Sequence, residues 1–157
     1  MRLTTFSDYA IRVLILAAST PGRNVTVEDA ARLYGISAAH LKKVVRALTR
    51  AKFLEGTRGR GGGFRLARPP EDIGLGDVIR QTEPDFALVE CFRPDNACRI
   101  TGICQLPPIL RESIDAMLEV LDRHTLADIV IGPDQVAARL GISVPPPRQT
   151  DRPGPQA

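Results

Sequence analysis

The chain has little histidine and little cysteine: two of the first and three of the second among 157 residues. Three is an odd number, and a chain this long needs no covalent staples, which argues against a secreted disulfide scaffold and for a reducing cytoplasm. Long apolar runs are also missing. The stretch IRVLILAA near the N-terminus has the look of a signal-peptide core, but it is short, with Asp8 just before it and Arg12 inside it. It reads as an amphipathic helix, and no other segment approaches the length that spans a membrane. No Gly-Lys-Ser/Thr follows the glycines near position 60, so a nucleotide-binding P-loop is a poor reading of them. No Cys-x-x-Cys pair occurs, which counts against a zinc- or thiol-based redox enzyme.

Acidic residues are scarce in the front half. Residues 1–70 carry 13 Lys and Arg against 4 Asp and Glu, a balance of +9, whereas 71–157 carry 8 against 14, a balance of −6. A basic front and an acidic back suit a nucleic-acid-binding module joined to a sensing or pairing module, the plain alternative being an ordinary solvated surface. The 43% hydrophobic content is that of a globular protein, long enough for one domain or for a small domain with an added helical element.

The residues that are present fall into a clear order. A first helix is predicted from Ser7 or Asp8 to about residue 19, burying Tyr9, Val13, Leu14, Leu16 and Ala17. After the turn PGRN, Thr26 and Asp29 resemble a capping pair that opens a short helix through Leu33. In LYGIS, Gly35 can end that helix with a positive φ, Ile36 packs inward, and Ser37 caps a further helix over 38–51. Helix, glycine turn, helix is the helix-turn-helix arrangement. Its second helix sets His40, Lys42, Lys43, Arg46 and Arg50 on a polar side and Leu41, Val44, Val45 and Leu48 on an inner one. That division suits a helix lying in a DNA major groove, with Ser37 at its head as a further contact; a merely solvated basic face is the alternative.

The segment FLEGTRGRGGGFRLARP then reads as a β-hairpin, with strands over 53–57 and 64–67 and a loop over 58–63. The hairpin makes the arrangement a winged helix, and Arg58 and Arg60 at its tip have the reach to touch DNA backbone or enter a minor groove. LGDVIRQT gives a short helix. A longer one over 108–123 carries an apolar stripe of Ile109, Leu110, Ile114, Met117, Leu118 and Leu121. So small a domain offers such a helix little to cover, so pairing with its twin in a homodimer is expected; two reading heads would then fit a palindromic operator. The fold class is thus mainly α with a small β-hairpin wing, a winged helix-turn-helix domain (1–70) followed by a cysteine loop and long dimerisation helix (71–130). A C-terminal extension (131–157) is expected to be disordered from about 143.

All the cysteines lie in ECFRPDNACRITGICQL: Cys91, Cys98 and Cys104, separated by six and five residues. This is neither a zinc knuckle nor a ferredoxin run; it is the spacing of a loop wrapping something larger than one ion. Unrelated thiols, or zinc with a histidine, remain alternatives. His40 belongs to the DNA face, however, and His124 to the far end of the long helix. Asp8, in the first turn of a helix, is stabilised by the helix dipole and can pair with Arg12 one turn on.

RLTTFSDYAIRVL, YGISAAHLKKVVRAL, TRGRGGGFRLARP and EPDFALVECF together resemble the iron-sulfur-dependent winged-helix regulators, whose branches include IscR, RirA and NsrR. The likeness covers roughly residues 1–130 and is closest to the NsrR branch, the nitric-oxide-sensing repressors. It implies a DNA-binding dimer with an iron-sulfur cluster, of the 4Fe-4S type with 2Fe-2S as the alternative, on Cys91, Cys98 and Cys104. The IscR branch completes its cluster with a histidine where this chain has Pro107, which cannot bind iron. The NsrR branch uses an aspartate from the opposite subunit at the position of Asp8, where RirA-like proteins tend to have asparagine. Arg12 would then partly offset the negative charge of the liganded cluster. The resemblance thus implies a repressor released from DNA by nitric oxide, with an iron-responsive RirA-like repressor as the rival.

Overall fold

The computed structural model describes residues 2–57, 59 and 61–140. Helix α1 (Thr5–Ala18) starts earlier than the sequence suggests, because Thr4 takes the capping position and its Oγ accepts the backbone N–H of Ser7 at 3.2 Å. Ser7 is fully buried instead, and Asp8 falls within the first turn. Helix α2 (Val27–Tyr34) opens with the expected reciprocal pair, Thr26 Oγ accepting from Asp29 N–H at 3.0 Å and the Asp29 carboxylate from Thr26 N–H at 3.3 Å. Gly35 closes it at φ 64°, a value an L side chain rarely adopts, and buried Ile36 follows. Ser37 then caps α3 (Ala38–Arg50) through the backbone N–H of His40, at 3.3 Å.

Strands β1 (Leu54–Thr57) and β2 (Gly63–Leu66) pair antiparallel, with Leu54 opposite Leu66 and Gly56 opposite Phe64. Against expectation, β1 starts one residue later, at Leu54, and β2 keeps its expected length but is shifted one residue earlier, taking in Gly63 and leaving out Ala67. Val25 adds a bridge on the far side of β2, exchanging backbone hydrogen bonds with Phe64 at 2.9 and 2.8 Å. The wing is therefore stitched to the α1–α2 turn as well as to itself. Gly63 lies so close to the Val25 carbonyl that a Cβ there would overlap it.

A 3-10 turn (Pro70–Asp72) leads into α4 (Leu75–Thr82), and an irregular stretch holding the 3-10 turn Glu90–Phe92 leads to α5 (Leu106–Asp122). Another 3-10 turn (Leu126–Ile129) and α6 (Pro133–Leu140) follow. Helix α6 lies in the first part of the C-terminal extension, while the residues from 143 onward, expected to be disordered, lie outside the described residues. One core unites Leu14, Leu41, Val44, Leu48, Phe53 and Phe64 with Ile73, Val78 and Leu126 from the second half. Burying apolar surface of this kind is the main stabilising term. Two backbone bonds close the second half onto itself, Leu126 N–H to Ile73 O at 2.8 Å and Leu75 N–H to His124 O at 2.9 Å. Part of the α5 stripe also packs within the chain: Ile114 is buried and Leu110, Met117, Leu118 and Leu121 are half-buried, whereas Ile109 stays 58% exposed.

Candidate functional site

Helix α3 presents Ser37, His40, Lys42, Lys43, Arg46 and Arg50 as exposed side chains, while Leu41, Val44 and Leu48 anchor it in the core. The basic side chains that sequence reasoning selected thus share one solvent face. Between α3 and the wing runs a cleft of about 370 Å³ lined by Lys42, by Glu28 of α2, and by Gly56, Gly59, Gly62 and Gly63. Glycine backbones of this kind let an anion come close to amide N–H groups. Arg58 and Arg60, expected at the wing tip, lie outside the described residues.

The wing is held from the side by a residue that sequence reasoning did not single out. Asn24 donates through Nδ2 to the Gly61 carbonyl at 3.0 Å, and its Oδ1 accepts the Thr57 hydroxyl at 3.4 Å. Asn24 is part of the PGRN turn, and nothing in the sequence ties that turn to a loop more than thirty positions away.

Asp8 is fixed by its neighbour one turn on. Arg12 reaches it with Nε to Oδ1 at 3.0 Å and Nη2 to Oδ2 at 2.9 Å, the pairing expected from their spacing. The guanidinium also stands 5.9 Å from the centre of the Tyr34 ring, and the Tyr34 hydroxyl donates to the Arg12 carbonyl at 2.9 Å. Burial pushes the Tyr34 hydroxyl up to about 12, with the nearby Arg12 charge opposing the shift. At the other end of the turn, Glu83 Oε1 accepts from Thr4 N–H at 2.8 Å and from Thr4 Oγ1 at 3.2 Å. The start of α1 is thereby tied to the end of α4, where the cysteine segment begins.

Cys91, Cys98 and Cys104 are half-buried free thiols. Cys91 and Cys104 line one open cleft of about 320 Å³ together with Thr101, Gly102, Pro107, Pro108 and Arg111. Cys98 is not in that lining, and Asp8 stands with α1, paired to Arg12. Leu106 N–H, at the start of α5, donates to Cys104 Sγ at 3.4 Å, and Arg111 stacks over Phe92 at 5.2 Å. Among the described residues no three His, Cys, Asp or Glu side chains gather as they would around a single metal ion. Thiolates are the soft ligands that cluster iron takes, and three free thiols on one loop, two of them lining one open cleft, are a donor set that fits an iron-sulfur group. Neither histidine joins the cysteines: His124 lies 3.5 Å from Asp128, and His40 is on the face of α3.

A capped basic helix beside a β-hairpin wing defines the winged helix-turn-helix class of regulator. The Rrf2 family model, described as an iron-dependent transcriptional regulator, matches residues 3–132, and the chain belongs to that family. The HTH-type transcriptional regulator NsrR of Bacillus subtilis (strain 168) is 48% identical over 132 residues, which span 83% of this chain and 90% of that one. NsrR of Bacillus licheniformis is 45% identical over 138 residues, 87% of this chain and 96% of its own. Among solved structures, T. potens IscR matches with a TM-score of 0.66 at 25% identity, covering 82% of this chain and 85% of that one. Oxidised Staphylococcus aureus CymR matches at 0.64 and 27% identity, covering 80% and 93%. The winged-helix fold and the NsrR-type kinship expected from the sequence are both borne out. The family is one of transcriptional regulators, which sets the redox-enzyme alternative aside.

Proposed function

We propose that the protein is a cytoplasmic homodimeric repressor that binds a palindromic operator and leaves it when nitric oxide damages an iron-sulfur cluster. Cys91, Cys98 and Cys104 would hold the cluster, with Asp8 supplied across the dimer as the fourth ligand. The observation that carries this reading is the set of three free thiols on one loop, two of them sharing a cleft, in a chain whose relatives are named NsrR. When bound, the cluster, of 4Fe-4S or 2Fe-2S type, supplies iron to which nitric oxide can bind.

The chain's own residues set the rest. A carboxylate is a harder and weaker partner for such iron than a thiolate, so a link through Asp8 would be the most easily broken. Arg12 grips both oxygens of Asp8 and leans on Tyr34, which fixes the carboxylate's direction. Because α1 packs directly on α3, a change at Asp8 acts on the element beneath the DNA-reading helix. Residues 1–70 would read DNA through Ser37, His40, Lys42, Lys43 and Arg46, with Arg58 and Arg60 on the wing; residues 71–130 would hold the cluster and pair the subunits.

An anaerobic titration with nitric oxide tests the proposal, using a duplex that the cluster-loaded protein has selected from a random pool. Affinity should fall by about 5- to 150-fold, the usual range of coupling between sites, in step with the loss of cluster absorbance. Binding retained after the absorbance has gone would refute the reading. The description of the family as iron-dependent favours iron itself as a second reading of the signal. Loss of binding on mild iron chelation, without nitric oxide, would select it.

A further inference from the structure

We propose that Asn24 is the positioning residue of the wing, holding the glycine loop at the distance from α3 that DNA requires. The inference rests on the DNA-binding reading given above and adds a residue to it. Four observations meet at this point. The carboxamide of Asn24 spans the wing: its Nδ2 donates to Gly61 O at 3.0 Å, in the loop, and its Oδ1 accepts the hydroxyl of Thr57 at 3.4 Å, at the end of β1. Gly62 N–H closes the loop on Gly59 O at 2.9 Å, so the Gly61 carbonyl stands within a tight turn whose place depends on what holds it. The next residue, Val25, is bonded to Phe64 in both directions, and the lack of a side chain at Gly63 lets the two backbones touch. Finally, Gly59, Gly62 and Gly63 form one wall of the cleft whose other wall includes Lys42 of α3.

A two-stranded hairpin of four-residue strands has little stiffness of its own. Glycines add freedom to the loop, which helps it approach phosphates but leaves its position undefined. Val25 fixes β2 at the end next to the loop, through Phe64, and Asn24 fixes the loop itself. The wing is thereby made one body with the α1–α2 turn, and a DNA strand entering the cleft meets a preformed wall instead of one that must be ordered on binding. Asn24 need not touch DNA to act in this way. Asparagine suits the task because one planar group donates from its nitrogen and accepts at its oxygen; an ionised Asp has no donor, and a Ser hydroxyl is a single atom that is too short to span both partners.

The test uses the full-length, cluster-loaded protein and a duplex that the parent protein has selected from a random pool. Asn24→Ala removes both bonds and should bind this duplex about 2- to 10-fold more weakly, the range expected if the bond to the loop, Nδ2 to Gly61 O, is the one that matters for DNA. Its hydroxyl-radical footprint should lose protection at the outer positions under the wing and keep the central major-groove protection. Without DNA, amide exchange should quicken at Gly59, Gly61, Gly62 and Gly63 and stay unchanged in α3. Asn24→Asp keeps the acceptor for Thr57 but loses the donor to Gly61, and should behave like Asn24→Ala. A parental footprint and affinity in both variants would overturn the proposal, as would exchange that quickens throughout the molecule. Lys43→Ala serves as the control: if it leaves the central protection intact, the DNA-binding assignment of α3 has failed, and the role of Asn24 is judged separately by the outer protection and the exchange of the wing.

Discussion

At the scale of single residues, the sequence shows pairs that are close in the chain and hides those that are not. The pairing of Asp8 with Arg12 follows from a four-residue spacing on a helix. The contact of Tyr34 with the same arginine joins positions 22 apart and has no local signal. That tyrosine carries a prediction. Its hydroxyl is raised from 10.0 to about 12 by burial, so the folded chain keeps a proton there which the unfolded chain has begun to lose near pH 10. The unfolded state then binds fewer protons, and stability falls as pH rises. The contribution is complete below the unfolded value and is gone once pH passes the folded one, which places the loss between about pH 10 and 12. Tyr34→Phe should cost about 0.5 to 1.5 kcal/mol at neutral pH through the lost hydrogen bond. Across the alkaline window its stability should fall less steeply than the parent's. Urea unfolding at a series of pH values measures both, and equal slopes for parent and variant would remove Tyr34 from the account.

At the scale of elements, helices announced by caps were legible and their ends less so. Thr26 with Asp29 and Ser37 before α3 sit where their spacing puts them, because each cap needs only residues three apart. The start of α1 is not settled by the sequence because three hydroxyl or carboxylate residues, Thr4, Ser7 and Asp8, compete for one cap; Thr4 wins it and is itself held by Glu83, far along the chain. The packing of α4 on α5 was equally hidden, since it depends on a glycine that is neither a turn nor a cap. Gly76 is buried inside α4, and a Cβ there would overlap the carboxylate of Asp122 on α5. That carboxylate takes a two-pronged bond from Arg80, at 2.6 and 2.7 Å, which holds it below the usual carboxylate range. Gly76→Ala should therefore be destabilising in the parent, because it displaces Asp122 from Arg80. In an Asp122→Ala background only the flexible end of Arg80 remains near the new Cβ and can swing aside, so the same change should turn neutral or stabilising, by up to about 1 kcal/mol, because alanine is the better helix former. Melting temperatures of the two single variants and the double variant decide it. Additive effects would show that Gly76 is not there to admit Asp122.

At the scale of the whole molecule, the division into a basic front and an acidic back was readable from counting charges, but the single core that crosses it was not. Ile73, Val78 and Leu126 complete a core begun by α1 and α3 through contacts that no local pattern encodes. The same long-range packing decides which part of α5 remains available to a second subunit. Ile114 turns inward, while Ile103, Leu106, Ile109 and Val120 are left 76%, 49%, 58% and 46% exposed. Large apolar side chains exposed along one helix and the loop before it are the surface on which the proposed homodimer would form. Ile109→Glu together with Val120→Glu should then yield a single chain at concentrations where the parent sediments as two. DNA binding gives a second, independent reading of the same change. Each phosphate neutralised contributes about 0.9 to the slope of log K against log salt, so a protein with two heads on one duplex has about twice the slope of a protein with one. The substitutions lie on the opposite half of the chain from Lys42, Lys43 and Arg46 and leave each head's own contacts in place. The monomeric variant should therefore show about half the parent's slope. A monomer with the full slope would mean that only one head of the dimer ever touches DNA, and a variant that stays dimeric would move the interface off α5.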